Sequence, residues 1–451
     1  MGRITLEQAA QWCGGKIDPK YKDVIFFGAS NDTRTLKKGQ LFVALQGQRD
    51  GHEFVPAALE KGAAAVLCAH RDGDYPAIEV ADPRTALGDI ARGARNSMNM
   101  KVVGITGSVG KSTTKEMAAC VLETTFRTGK SPANHNNDIG MPMAILALPD
   151  DTQVAVLEMG MNHFREMAYL SSIAQPDIAV IVNVGTMHIE HLGSQEGILK
   201  AKLEILEGLK PEGTVILNGD DPLLWSVREE VSRCGYFGVG NTDVVVHGSD
   251  VKLERGLVGF RVDYRDISFL IELPVEGEHF VDDALAAICV GISLGVHPQD
   301  IQLSLSQFRN MAGRQEILKE KGFTIIKDCY NAGPESMAAA LNVLGNQEGR
   351  KIAVLGDMLE LGVCTQAEHF RVGRICAEKA DILLSFGPNS NQMLEGAITG
   401  GMVGSKAKAF ESRAELVATL KRTVKPGDVI LFKGSRGMHM ELALEQFLAD
   451  A

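Results

Sequence analysis

The segment Thr106-Gly107-Ser108-Val109-Gly110-Lys111-Ser112-Thr113 lies between an apolar run and a helix-like stretch, and its composition suits phosphate. Glycines let backbone N–H groups wrap phosphate oxygens, and the start of a helix favours an anion. Lys111 supplies a countercharge, and the Ser112 hydroxyl can ligate Mg2+. The standard phosphate-loop pattern is incomplete, because Ile105 stands where its first glycine would fall. An acid, Glu158, closes the apolar run 153–157, a position where nucleotide-binding folds place a metal-binding carboxylate. His188 follows the apolar run 178–184. Lys111, Glu158 and His188 thus fall just past the carboxyl ends of expected parallel strands, where open α/β sheets build their sites. Each has a plainer alternative: a helix-start turn, a surface acid, a satisfied histidine. His188-Ile189-Glu190-His191 lacks the His-Glu-x-x-His spacing of zinc proteases, which removes that chemistry. Lys202, by pattern alone, reads as a solvated helix lysine.

The elements that must position these groups form three α/β blocks. The first has strands over 41–45 and 64–68 and helices over 55–61 and 84–98. The second opens with a strand over 101–105 and continues through 153–157, 178–184 and 214–217. These near-continuous apolar runs predict a parallel sheet covered on both faces. Over 244–273 the pattern changes to short alternating strands, which predicts an antiparallel patch on the second block, followed by a helix over 281–294. The third block starts near Arg314, with strands over 324–326, 352–355, 382–386 and 429–432 separated by helices, as in a doubly wound domain. No fixed-period repeat is present.

The chain has 451 residues, which predicts two or three domains. A net charge of -11 disfavours nucleic acid as a partner. The amino-terminal residues 1–5 lead into an amphipathic stretch with no long apolar core, so no secretory signal is expected. The longest apolar runs are of strand length, so no membrane insertion is expected either. Eight scattered cysteines without a Cys-x-x-Cys pair fit reduced thiols in a cytoplasmic protein.

Ordered matches along the whole chain resemble the Mur ligases. They begin with Asp32-Thr33-Arg34 and Asp50-Gly51-His52, then the loop 104–117, Asn134, Asn136-Asn137-Asp138 and Leu157-Glu158-Met159-Gly160. They continue through Asn183-Val184-Gly185 with His188, Ala201-Lys202 with Glu204, and Gly313-Arg314 with Glu316. Asp328-Cys329-Tyr330-Asn331-Ala332-Gly333-Pro334-Glu335-Ser336-Met337, Leu355-Gly356-Asp357-Met358 and Lys433-Gly434-Ser435-Arg436 complete the series. The resemblance implies an α/β fold of three domains. These are a UDP-sugar-binding domain over 1–98, a central P-loop ATPase domain over 99–312 with a parallel sheet and a small antiparallel patch, and a C-terminal Rossmann-like domain over 313–451.

It also implies ATP-dependent amide ligation through an acyl phosphate, as a monomer. Gly107, Ser108, Val109, Gly110, Lys111, Ser112 and Thr113 would hold the phosphates of ATP. Ser112 and Glu158 would hold one Mg2+, and His188 a second. Lys202 matches a lysine that becomes a carbamate in this family, adding a carboxylate near the metals. Arg314 and Asp328 would reach ATP from the third domain, and Asp283 would face adenine. Asp32, Thr33, Arg34, His52, Asn134, Asn136, Asn137, Tyr330, Asn331, Ser336, Lys433, Ser435 and Arg436 would bind substrates. The segment 328–337 is closest in kind to the member that takes UDP-N-acetylmuramoyl-tripeptide and D-alanyl-D-alanine.

Four departures from the family pattern stand out. Phe280 and Asp283 replace usual asparagines, and Asp283, as an ionised carboxylate, would accept but not donate hydrogen bonds. Gly333 replaces another asparagine, which predicts a larger pocket and a broader choice of second residue, such as D-lactate or D-serine. Asp138 replaces a glutamate. Two rivals are weaker. A sister ligase adding diaminopimelate would carry Asp-Asn-Pro-Arg in the third block. A P-loop switch protein would carry Asn-Lys-x-Asp. Neither motif occurs.

Overall fold

In the computed structural model, which describes residues 3–449, the apolar runs of the second block become neighbours in one sheet. The two residues that begin the amino-terminal segment read above, and the last two of the chain, lie outside the described part. The strand Lys101–Thr106 lies between Ile178–Ile181 and Val154–Glu158, and both pairings are parallel. The sheet has nine strands. On one side it continues through Thr214–Asn218 and Cys234–Gly238, and on the other it ends with Thr128–Lys130. Beyond Cys234–Gly238 a short parallel pairing leads into Val246–Glu254, Leu257–Tyr264 and Ile267–Leu273, which pair antiparallel. The expected antiparallel patch therefore exists, and it is an extension of the main sheet.

Helices cover both faces, which explains why the central strands carry almost no polar residue. Lys111–Glu123 and Phe280–Ser293 pack on one face, burying Met117, Val121, Leu285 and Ile288 against Val103, Val156 and Val180. The other face meets the helices Pro83–Ser97 and Glu166–Ala174 through Leu87, Ile90, Leu170 and Ile173. That face is continuous with the first unit, whose four short strands Ala29–Ser30, Leu41–Val43, Ala65–Cys68 and Ala77–Glu79 pair in parallel. The third unit is a six-stranded sheet. The antiparallel edge strand Glu316–Glu320 pairs with Phe323–Asp328, and four parallel strands follow in the order Val429–Lys433, Lys351–Gly356, Ile382–Phe386, Ala407–Phe410.

The strand expected over 178–184 stops at Ile181. Past it the backbone serves other partners: the Asn183 side chain turns to the phosphate loop, and the Val184 N–H goes to Asp221. Short strands with few apolar residues, such as Thr128–Lys130 and Ala407–Phe410, were not expected from pattern. Among the described residues, no helix is long and apolar enough to cross a membrane.

Candidate active site

Lys101–Thr106 is the strand at which the central sheet changes direction: later strands are added on both of its sides. The crevice beyond its carboxyl end is the usual ligand position in such sheets. The loop 107–110 fills it and runs straight into the helix Lys111–Glu123, whose first turn has no side-chain cap. Free N–H groups there are ready for an anion. Gly110 has φ +81°, and a Cβ on it would stand 2.2 Å from Asp283 Oδ1, so both conformation and space demand glycine. Asn183 braces the loop by accepting the N–H groups of Ser108 and Val109 at 3.0 and 2.9 Å. Lys111 Nζ donates to the carbonyls of Gly107 and Ser108 at 2.7 and 3.0 Å. Deep in the cleft, desolvation lowers its amine to about 8, against the pull of Glu158.

Glu158 ends its strand as the sequence indicated, and it is buried. Its two oxygens take the Ser112 hydroxyl at 2.6 Å and the Asn136 amide at 2.8 Å. A hydroxyl beside a carboxylate is a hard-oxygen donor set that suits Mg2+, which keeps several waters and takes the rest of its shell from phosphates.

Lys202 corrects a sequence expectation. It is not solvated: it is 3% exposed, at the end of the helix Gln195–Leu203. Burial, aided by repulsion from Lys111, lowers its amine well below the usual lysine value. Such an amine gives up its proton more readily than an exposed lysine, and its deprotonated form is a nucleophile.

Asp283 supplies a second correction. Burial raises its carboxyl to about 8, opposed by the Thr114 hydroxyl that donates to Oδ1 at 2.9 Å. At neutral pH the group is protonated, so like an amide it can donate as well as accept.

The third unit closes the cleft, whose cavity is about 470 Å³. From it come Arg314, Gln315, Asp328, Tyr330, Asn331, Ser336 and Lys433, facing Asn136, Asn137, Glu158, His188 and Lys202. Asp328 and Lys433 end adjacent parallel strands in register and pair at 2.6 Å. The Arg314 guanidinium lies over the Tyr330 ring, 4.1 Å from its centre. His188 Nδ1 meets Glu360 Oε2 across the seam at 2.5 Å, and both residues hold left-handed backbone, φ 65° and 62°. Beside Arg314, Gln315 shares that strain at φ 48°, and its side-chain oxygen has no protein partner.

Not every expected residue is in the cleft. Asp32 and Arg34 form an exposed ion pair in the first unit. There the Thr33 carbonyl accepts from Lys61, and both ring nitrogens of His52 are engaged, by Asp50 and the Ala69 N–H. Asn134, Ser435 and Arg436 stay off its wall. Ser435 bridges Ala332 and Leu359, while Arg436 pairs with Glu441. The Ser336 hydroxyl is held by the N–H and carbonyl of Gly333, both at 3.0 Å. Gly333 does not enlarge the pocket: Met187 Cγ lies 2.6 Å from where its Cβ would be, and so fills that space.

Other lining residues carried no expected role, among them Asn183, Met187, His279, Gln315 and Glu335. Asn183 sat within a motif run but inside the stretch expected as a strand, and only the end of that strand at Ile181 frees its side chain for the loop. Burial holds the His279 imidazole down at about 4, hence neutral. Glu335 Oε1 accepts from the Thr186 N–H and hydroxyl at 2.9 and 3.0 Å, joining the third unit to the central one. Nothing local in the sequence announces that contact.

Comparison with known proteins agrees with this geometry. Residues 105–291 match the Mur ligase middle domain, and 313–436 match the Mur ligase glutamate ligase domain. The UDP-N-acetylmuramoyl-tripeptide–D-alanyl-D-alanine ligase of Bacillus subtilis is 38% identical, over 98% of this chain and 97% of that protein. The Escherichia coli enzyme of the same name is 34% identical, over 97% of both. A crystal structure of MurF from Acinetobacter baumannii superposes with a TM-score of 0.89 at 34% identity, covering 100% of this chain and 99% of that one. MurF from Thermotoga maritima in complex with ADP gives 0.81 at 29% identity, covering 94% and 97%. With full-length relatives above 30% identity and the phosphate loop, buried lysine and two-sided cleft in place, the chain belongs to the Mur ligase family.

Proposed function

We propose that the chain joins D-alanyl-D-alanine to UDP-N-acetylmuramoyl-tripeptide, spending ATP and passing through an acyl phosphate. What supports this most is that the phosphate loop and the segment 330–336 are opposite walls of one cleft. A carboxylate activated on the first wall therefore meets an amine carried by the second. The full-length relatives bearing that enzyme's name point the same way. The boundaries 1–98, 99–312 and 313–451 divide the work: the first domain holds the UDP end through Asp32, Thr33, Arg34 and His52, the second activates, and the third delivers the amine.

The tripeptide carboxylate attacks the terminal phosphorus of ATP, and ADP leaves with the bond's electron pair. Lys111, Arg314 from the third domain and the N–H groups of residues 107–113 neutralise the phosphate oxygens, while Asp328 reaches the ribose and Asp283 faces adenine. The amine of the dipeptide then attacks the acyl carbon, inorganic phosphate departs, and the amine proton passes to solvent. Asn136 and Asn137 serve the acceptor side, and Tyr330, Asn331, Ser336 and Lys433 the amine side. Positioning and charge neutralisation are the protein's share of such chemistry.

Mg2+ would be held by Ser112, Glu158 and His188, and would supply countercharge to the phosphates. The Lys202 amine, which burial makes easier to deprotonate, is suited in its deprotonated form to add carbon dioxide, losing one proton and becoming a carbamate that places a carboxylate at that position. The test measures ADP release with UDP-muramoyl peptides of each length against each amine, with products read by mass spectrometry. Transfer of diaminopimelate or lysine to the UDP-dipeptide, with D-alanyl-D-alanine ignored, would overturn the assignment within the family.

A further inference from the structure

Part of the wall of the cleft at the start of the helix Pro334–Gly345 is apolar, beside the Glu335 carboxylate that spans the seam to Thr186. Its one hydroxyl, Ser336, is consumed by the Gly333 backbone, which it both donates to and accepts from. Next to that carboxylate the cavity is lined by Ala339, Ala332 and Met187, which crosses from the central unit. Met187 reaches there only because residue 333 has no side chain: Cγ lies 2.6 Å from the ideal Cβ position, closer than real Cβ contacts come, and Sδ 3.1 Å from it, tighter than most. A side chain at 333 and the present course of Met187 exclude one another. Residues 187 and 333 therefore act as one unit, and the half-buried, unbranched thioether is the part free to set the size of the space.

We propose that Met187 is a specificity-determining residue for the incoming amine, its thioether closing the amine-side wall so that small, apolar D-side chains fit and larger ones do not. The inference rests on the proposed dipeptide substrate and adds the residue that selects its side chains. The apolar surface suits the two methyl groups of D-alanyl-D-alanine. Its discrimination is by size, and a pocket of this kind separates substrates differing by a methylene by about 10–200-fold.

The experiment offers D-alanyl-D-alanine and D-alanyl-D-leucine together, with ATP and the UDP-tripeptide, and reads the product ratio by mass spectrometry. Folded state is followed by thermal melting. Met187→Ala is expected to move the ratio toward the leucine dipeptide by at least 10-fold, with KM for ATP within about 2-fold of wild type. Met187→Leu, of similar volume, should keep the ratio within about 3-fold. Gly333→Ala placed on Met187→Ala should return part of the discrimination, because the added methyl enters the vacated space. An unmoved ratio in folded Met187→Ala would overturn the inference. So would a change that appears when the third residue of the tripeptide is varied and not when the dipeptide is. Failure of the wild type to use D-alanyl-D-alanine at all would strike the substrate assignment itself, a separate result seen before any variant is made.

Discussion

The two walls of the cleft are built differently. The phosphate side is a strand, a turn and a helix consecutive in sequence, and its ligand groups are largely backbone N–H. The amine side is assembled across a seam: Glu335 reaches Thr186, Met187 fills the hollow at Gly333, and Glu360 meets His188. A backbone-built wall tolerates change outside a few positions, whereas a wall of interlocked side chains from two units depends on each contact and on how the units sit. The lesson is that the first wall should fail at single residues by large factors, and the second by graded ones.

Lys111→Ala gives the largest effect expected. Removing the main countercharge should lower ATP turnover by about 10³-fold or more while the melting temperature stays within a few degrees. Near-normal turnover would show that the phosphate side does not depend on this residue. Lys202→Ala should cost on the order of 10²-fold, partly restored by added formate or acetate, which bring back a carboxylate. An absence of rescue together with full activity would separate Lys202 from the reaction.

On the amine side, Glu335→Ala should raise KM for the dipeptide about 10-fold while KM for ATP moves less than about 3-fold. Glu335→Gln keeps an acceptor for Thr186 and should recover most of the loss. Equal increases for both substrates would mean that the seam serves the whole cleft and that the contrast between walls is too sharp.

Asp283 is the smallest test. With its carboxyl at about 8, the group is neutral below that pH and charged above it. Asp283→Asn should therefore leave KM for ATP nearly unchanged at pH 7. Above pH 8 the wild type should weaken, by loss of the donor and repulsion of the phosphates, while the variant stays flatter. Lys111 also loses its proton near 8, so the difference between the two proteins, and not either curve alone, is the readout. Stability gives an independent sign. The unfolded carboxyl titrates near 4, so the folded form holds an extra proton between about 4 and 8 and wild-type stability falls across that window. Asp283→Asn should remove that slope in denaturant melts of the ligand-free protein.

Much of this was legible in the sequence. The loop 106–113, the acid at 158 and the histidine at 188 were readable because each follows a run whose period marks a strand, and parallel strands aim their carboxyl ends at one place. The antiparallel patch was visible in its alternation. Lys202 was not readable as buried, since a helix of moderate polarity shows no reason for covering one lysine until the sheet and Lys111 are beside it. Asp283 was misjudged because its protonation depends on desolvation by elements far away in sequence. Gly333 was misjudged because the volume it leaves is claimed by a residue nearly 150 positions earlier, and no local pattern encodes that. The short strands Thr128–Lys130 and Ala407–Phe410 had too few apolar residues to register.

The clasp between His188 and Glu360 bears on what holds the central and third units together. Each residue holds left-handed backbone, a conformation that costs a non-glycine residue about 1 kcal/mol or more. The bond between them, partly open to water, returns an amount of similar size. Latch and spring are thus nearly matched, so this joint marks where the two units touch and adds little net hold, which must come from contacts without such strain, among them that of Glu335 with Thr186.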